Sequence, residues 1–204
     1  LPADEDKVSA DLWRWNDDYV QPMQKVRAAQ ERARTFRGVL DLASHHYTQL
    51  ADATLPQVSL SDDGLRVIGQ DDRAYRPLGD YDARYADVYL VDASTGARRK
   101  IFQQFRGTTP QWSPDGKWAA FYNDKHWHVL DTATGEERNL TAKLKVAFWN
   151  ELDDRPEPPS AWGNAGWSKD SAAFLAYDRY DVWQLFADGR APERAEQAVI
   201  HERG

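Results

Sequence analysis

The 204-residue chain contains no cysteine, which excludes disulfide staples and thiolate metal sites. No apolar run approaches the ~18 residues of a membrane-spanning helix, and a mean hydropathy of −0.78 fits a β-protein that folds in water. Positive charge is in deficit: 26 Lys and Arg against 33 Asp and Glu leave a net charge of −7. A nucleic-acid backbone needs clustered cations, so nucleic acid is excluded as a partner. No signal-peptide pattern is visible. The string Gly-x-Ser-x-Gly, which a hydrolase nucleophile elbow requires, does not occur either.

What is present is repetition. Ser61-Asp62-Asp63-Gly64, Ser113-Pro114-Asp115-Gly116 and Ser168-Lys169-Asp170-Ser171 each precede an alternating apolar run, and their serines lie 52 and 55 positions apart. That interval is close to the roughly 40 to 50 residues of a propeller blade, a four-stranded sheet that cannot bury its faces alone. In the second copy Pro114 presets φ, Ser113 and Asp115 can bond nearby backbone, and Gly116 closes a tight hairpin turn. Gln111-Trp112 reads as a short inner strand. In the strand Trp118 to Tyr122, Trp118, Ala120 and Tyr122 share one face while Ala119 and Phe121 share the other. Both faces are apolar, as a sheet packed between two neighbouring sheets requires. Asp131-Thr132-Ala133-Thr134-Gly135 and Asp92-Ala93-Ser94-Thr95-Gly96 are matching turns ahead of an outer strand.

The reading is therefore an all-β chain: a single partial β-propeller over 1–204, of about three to four four-stranded antiparallel blades with one inserted α-helix. The expected units are 10–52, an incomplete blade with a helix at 19–35, then blades at 54–104, 107–143 and 162–200. Turn positions Ser61, Gly64, Gly96, Ser113, Pro114, Asp115, Gly116, Gly135 and Ser168 are structural. A ring normally closes with four to eight blades, so the chain is expected to be a segment of a longer polypeptide or to associate with itself. In the helix, Asp17 or Asp18 is the expected cap, Pro22 suits the first turn, and Val20, Met23 and Val26 share a face. Two further segments leave the blade pattern. One is the proline-rich 150–164; the other is 71–86, which holds Tyr75, Tyr81, Tyr85, Arg73, Arg76 and Arg84. Long loops on a rigid scaffold are where binding resides.

The string Trp112-Ser113-Pro114-Asp115-Gly116-Lys117-Trp118-Ala119-Ala120-Phe121, the two Asp-x-x-Thr-Gly turns and Asp181-Val182-Trp183 resemble the N-terminal propeller domains of the prolyl oligopeptidase and dipeptidyl peptidase IV family, a WD40-like repeat architecture also similar to the blades of TolB. The resemblance spans nearly the whole chain. It implies a serine peptidase whose propeller restricts access for peptide substrate and packs on an α/β-hydrolase domain of the same parent protein. It further implies a periplasmic or secreted location. The alternative is a stand-alone TolB-like interaction module.

Candidate sites are few. Gly166-Trp167-Ser168-Lys169-Asp170 comes nearest to a nucleophile elbow, but its fifth residue is Asp and Ser168 aligns with Ser61 and Ser113 as a turn residue. No catalytic residue is therefore assigned. Glu136-Glu137 is the one adjacent Glu pair; it sits in an outer hairpin, so the amine-holding role that such a pair has in dipeptidyl peptidases is not carried over. His126-x-His128 places two imidazoles on one strand face without an evident third ligand, so packing is the reading; no metal and no cofactor are expected. Asp71, Asp72, Arg73 and Tyr75, at a loop mouth where a strand ends, are the candidate substrate-binding residues. An unclosed arc leaves sheet faces open, so light scattering is expected to show the chain's mass rising with concentration; a strictly monomeric species over a wide range would contradict this.

Overall fold

The computed structural model describes residues 10–80 and 82–195. Tyr81 and the last residues of the unit expected at 162–200 lie outside the described residues. Among the described residues there are two helices, α1 (Gln21–Arg32) and a 3-10 helix (Arg73–Asp80), and the other regular elements are β-strands. Strands β1 (Gly38–Leu40) and β2 (Tyr47–Gln49) pair as a two-stranded ribbon. The first blade comprises β3 (Gln57–Leu60), β4 (Arg66–Asp71), β5 (Ala86–Asp92) and β6 (Arg98–Phe105). The second comprises β7 (Gln111–Trp112), β8 (Trp118–Asn123), β9 (His126–Asp131) and β10 (Glu137–Asn139), and the third β11 (Asn164–Trp167), β12 (Ala173–Tyr177), β13 (Val182–Phe186) and β14 (Glu193–Arg194). Each blade is antiparallel with its strands in sequence order. The described chain is thus a partial propeller of three complete blades and a two-stranded remnant.

The blades stack face to face because their central strands are apolar on both sides. Ala119 and Phe121 join Ile68, Val88, Leu90 and Phe105 between the first and second blades, whereas Ala120, Tyr122, Trp127 and Val129 join Phe174, Ala176, Trp183 and Leu185 between the second and third. The ribbon completes the stack with Leu50, Leu55, Val67 and Val91. Aromatic contacts cross the two seams between complete blades: Phe102 and Phe105 lie edge-on to Phe121 at 5.5 and 5.2 Å, and Trp127 meets Phe174 at 4.8 Å. Such pairs add to the burial of large apolar side chains.

Three repeated polar devices fix how the blades sit. In each Ser-x-Asp turn the serine hydroxyl donates to the aspartate, at 2.6 Å from Ser61 to Asp63, 2.7 Å from Ser113 to Asp115 and 2.5 Å from Ser168 to Asp170. The same hydroxyl accepts the N–H that opens the next strand, from Arg66, Trp118 and Ala173. The fourth position is left-handed in all three, with φ of 71° at Gly64, 66° at Gly116 and 61° at Ser171. Glycine takes that conformation freely and serine does so at a cost. Ser171 gains a contact in exchange: its hydroxyl accepts Asp115 N–H of the neighbouring blade at 3.0 Å.

The second device is the tryptophan before the turn. Trp112 Nε1 donates to Ser59 Oγ at 3.1 Å and Trp167 Nε1 to the Gln111 carbonyl at 3.0 Å, each reaching back to the preceding inner strand. The third reaches forward. Three residues beyond the left-handed position of the Asp-x-x-Thr-Gly turns, Arg99 Nη1 donates to the Thr134 carbonyl at 2.6 Å and Arg138 Nη1 to the Ala187 carbonyl. The ribbon obeys the same rule. Asp41 caps Ala43 and Ser44 N–H, His45 takes φ of 55° where the other turns have Gly96 and Gly135, and Thr48, three residues on, donates to the Ser94 carbonyl at 2.9 Å. The ribbon is therefore the third and fourth strands of a blade.

Antiparallel order sorts the connections onto two ends. All Ser-x-Asp and Asp-x-x-Thr-Gly turns fall at one end; α1, the 3-10 helix and the 140–163 connection fall at the other. Ser113 is fully buried and Ser168 only partly so. Ser113→Ala strands the Trp118 N–H away from water and is expected to cost about 1–3 kcal/mol, while Ser168→Ala, where water can substitute, costs less; urea denaturation of both variants measures the difference.

Candidate functional site

The long-connection end is built around the 3-10 helix, which begins when the Asp72 carbonyl accepts Tyr75 N–H at 2.9 Å. Helix α1 faces it from before the ribbon. Its N-cap is Val20 with no side-chain cap, and Pro22 lies in the first turn. The expected caps are used elsewhere: Asp17 accepts Gln24 Nε2 at 3.0 Å and Asp18 accepts Arg76 Nη1 at 3.0 Å. No residue of α1 is buried, and its apolar stripe is open, with Val20 52% and Val26 78% exposed. The helix therefore does not cover its own blade with that face.

The four candidate binding residues separate into two pairs. Asp71 ends β4 and takes the Arg73 guanidinium in a two-point contact, 2.8 Å at both oxygens, and Arg73 Nη2 also donates to the Thr54 carbonyl at 2.8 Å. The hydrogen bonds from Arg73 hold the Asp71 carboxyl below its ordinary range against the opposing effect of burial. These two residues tie the end of the first blade to the connection preceding it. Asp72 and Tyr75 instead line a cleft of about 280 Å³, together with Tyr19, Val20, Met23, Arg27, Arg76, Arg84 and Tyr85 among others. Tyr75 donates to Asp87 at 2.7 Å, a bond that raises the tyrosine pKa.

Arg76 organises the cleft. Its Nε and Nη2 lie 3.1 and 3.0 Å from Asp72 Oδ1, and Nη1 bonds Asp18, so one guanidinium joins the segment before α1 to the 3-10 helix. Tyr19 lies between two cations, with Arg27 Cζ 4.4 Å and Arg76 Cζ 5.3 Å from its ring centroid. Tyr75 and Tyr85 meet edge to face at 6.2 Å. The role of Asp18, Tyr19 and Arg27 carries no local signal in the sequence, because their partners are more than 40 residues away in the chain or follow from a helix orientation.

The other candidates take structural places. The Ser168 hydroxyl is engaged on both sides within its turn, unlike a poised nucleophile. His126 Nδ1 lies 3.0 Å from Thr141 Oγ1, and His128 stacks on Phe121 at 5.3 Å within the seam between the first two blades. Among the described residues no three His, Cys, Asp or Glu side chains gather as a metal site. Glu137 lies against His128, Oε1 to Nδ1 2.5 Å, out of hydrogen-bond alignment. No helix among the described residues is long and apolar enough to cross a membrane.

No protein-family model matches the sequence, and no curated protein matches it. Solved structures do resemble it: TolB from Acinetobacter baumannii (18% identity, TM-score 0.41, 79% of this chain and 38% of that one); an oligogalacturonate lyase in complex with manganese (14%, 0.47, 79% and 47%); and dipeptidyl peptidase 4 from Porphyromonas gingivalis (16%, 0.40, 79% and 28%). The chain spans less than half the length of each. The propeller assignment rests on the blades' own pairing and packing.

Burial is the main reason the His128 imidazole is held below its ordinary pKa, with Glu137 opposing and His126 reinforcing. A depressed folded-state pKa means the unfolded chain binds the proton more readily, so stability is complete above the unfolded value of about 6.5 and falls as pH drops below it. Urea midpoints between pH 7.5 and 5 are expected to show this decline, and His128→Phe is expected to flatten it.

Proposed function

We propose that the chain is a non-catalytic propeller segment of a bacterial serine peptidase of the prolyl oligopeptidase and dipeptidyl peptidase IV kind. In this reading it admits short peptides and packs on an α/β-hydrolase domain outside these residues. The observation that carries it is the asymmetry of the two ends. Tight turns, locked by repeated hydrogen bonds, close one end, while every long connection gathers at the other and leaves the apolar stripe of α1 and the side chains of Trp13 and Trp15 exposed. A domain interface and a substrate entrance need such an end. The motif resemblance supplies the peptidase part of the reading and a periplasmic or secreted location. The Asp72 and Tyr75 cleft is the proposed peptide contact, and Asp71 and Arg73 fix the strand end from which it starts.

The reading frame that encodes this chain is expected to contain further blades and a Gly-x-Ser-x-Gly segment. The purified chain alone is expected not to hydrolyse peptide p-nitroanilides. Hydrolysis that survives repurification would overturn the non-catalytic assignment, and a frame without the elbow segment would overturn the peptidase one in favour of a stand-alone binding module.

A further inference from the structure

The cleft beside α1 has more cationic than anionic lining. Arg76 is matched by Asp72 and Asp18, and it is largely buried with 13% of its side chain exposed. Arg27 is not so matched. Among the described residues its one carboxylate neighbour, Glu31, is 3.6 Å away and shared with Arg34, which holds it more closely; the guanidinium lies over the Tyr19 ring, and its Nε is buried with no acceptor. Arg84 lines the same cleft and forms no ion pair among the described residues. Arg27 lines the cleft with about a third of its side chain exposed, and a charged acceptor bonds such a guanidinium more strongly than a neutral one does. Beside these donors stand apolar surfaces: the exposed Val20, the half-exposed Met23 and the ring of Tyr85.

We infer that this cleft binds a small organic carboxylate bearing an aromatic or branched aliphatic group, the carboxylate on Arg27 and Arg84 and the apolar group against Val20, Met23 and Tyr85. Its volume of about 280 Å³ holds one or two amino-acid residues, so the C-terminal end of a short peptide meets the description. The identity of the ligand as a peptide end rests on the function proposed above; the preference for a carboxylate does not. A chain whose overall charge is −7 would repel such a ligand at long range, so the attraction must be local and must weaken as salt screens it.

Isothermal titration of the purified chain with N-acetyl-phenylalanine, N-acetyl-phenylalaninamide and the dipeptide Gly-Phe tests the inference. The acid is expected to bind saturably and the amide about tenfold or more weakly, the loss of one charge-assisted contact. Arg84→Gln and Arg27→Gln are each expected to weaken the acid by a similar factor without weakening the amide further, while Lys169→Gln in a turn at the opposite end leaves both unchanged. Equal binding of acid and amide, or no saturable binding of the acid, overturns the inference even if an arginine variant fails to fold, because both probes are read on the unsubstituted chain. Binding of N-acetyl-phenylalanine without Gly-Phe keeps the carboxylate site and removes its reading as a peptide-end site. None of these outcomes depends on whether a hydrolase domain exists, so this inference and the proposed function fail separately.

Discussion

The structure depends on one constraint: the central strands of the blades carry apolar side chains on both faces, so a blade buries them only against its neighbours. Phe121 and Ala119 point one way from β8 and Tyr122 and Ala120 the other, and all four are buried. Burial alone is non-directional and would let two sheets slide. The slide is stopped by hydrogen bonds that recur blade by blade. Trp112 and Trp167 reach back along the inner strands, and Thr48, Arg99 and Arg138 reach forward to turn carbonyls. Apolar packing thus supplies the driving force, and these polar contacts supply the register.

That division of labour assigns the two ends of the arc different tasks. Where the locking turns lie, added residues would break contacts between blades. Gly116 illustrates the tightness: a Cβ there would sit 3.2 Å from Ser61 Cβ of the preceding blade, on a backbone already left-handed. At the opposite end the connections are free of such repeats, and the chain spends its irregular sequence there. The 3-10 helix, α1 and the proline-rich 150–164 segment all belong to that end. The electrostatics follow the same pattern. At the turn end Asp63, Asp115 and Asp170 have depressed pKa values within local rings of hydrogen bonds. At the other end Arg76 bonds Asp18, 58 positions away, while Arg27 has the Tyr19 ring and a carboxylate that it shares with Arg34.

Much of this was legible in the chain itself. The Ser-x-Asp-Gly and Asp-x-x-Thr-Gly strings encode their turns locally, since side-chain oxygen, preset φ and left-handed glycine all act within five residues. Two-sided alternation in Trp118 to Tyr122 likewise required a sheet between sheets. The candidate site was half legible: the 71–86 segment announced itself as a departure from the blade pattern, but of its four chosen residues Asp72 and Tyr75 line the cleft, while Asp71 and Arg73 bond each other and the connection before the blade. Asp17 and Asp18 looked like caps because capping is local, yet Asp18 is taken by Arg76, and nothing near it in sequence signals that pairing.

The sequence by itself determined the turns, the strand faces and the need for neighbouring blades, because each arises from interactions between residues close in the chain or from a period of two. Only the tertiary structure decided which charges remain uncompensated, which end carries the cleft, and that His45 stands where other blades have glycine. Those outcomes depend on distances across blades and between α1 and the 3-10 helix, and such distances exist only once the sheets have stacked.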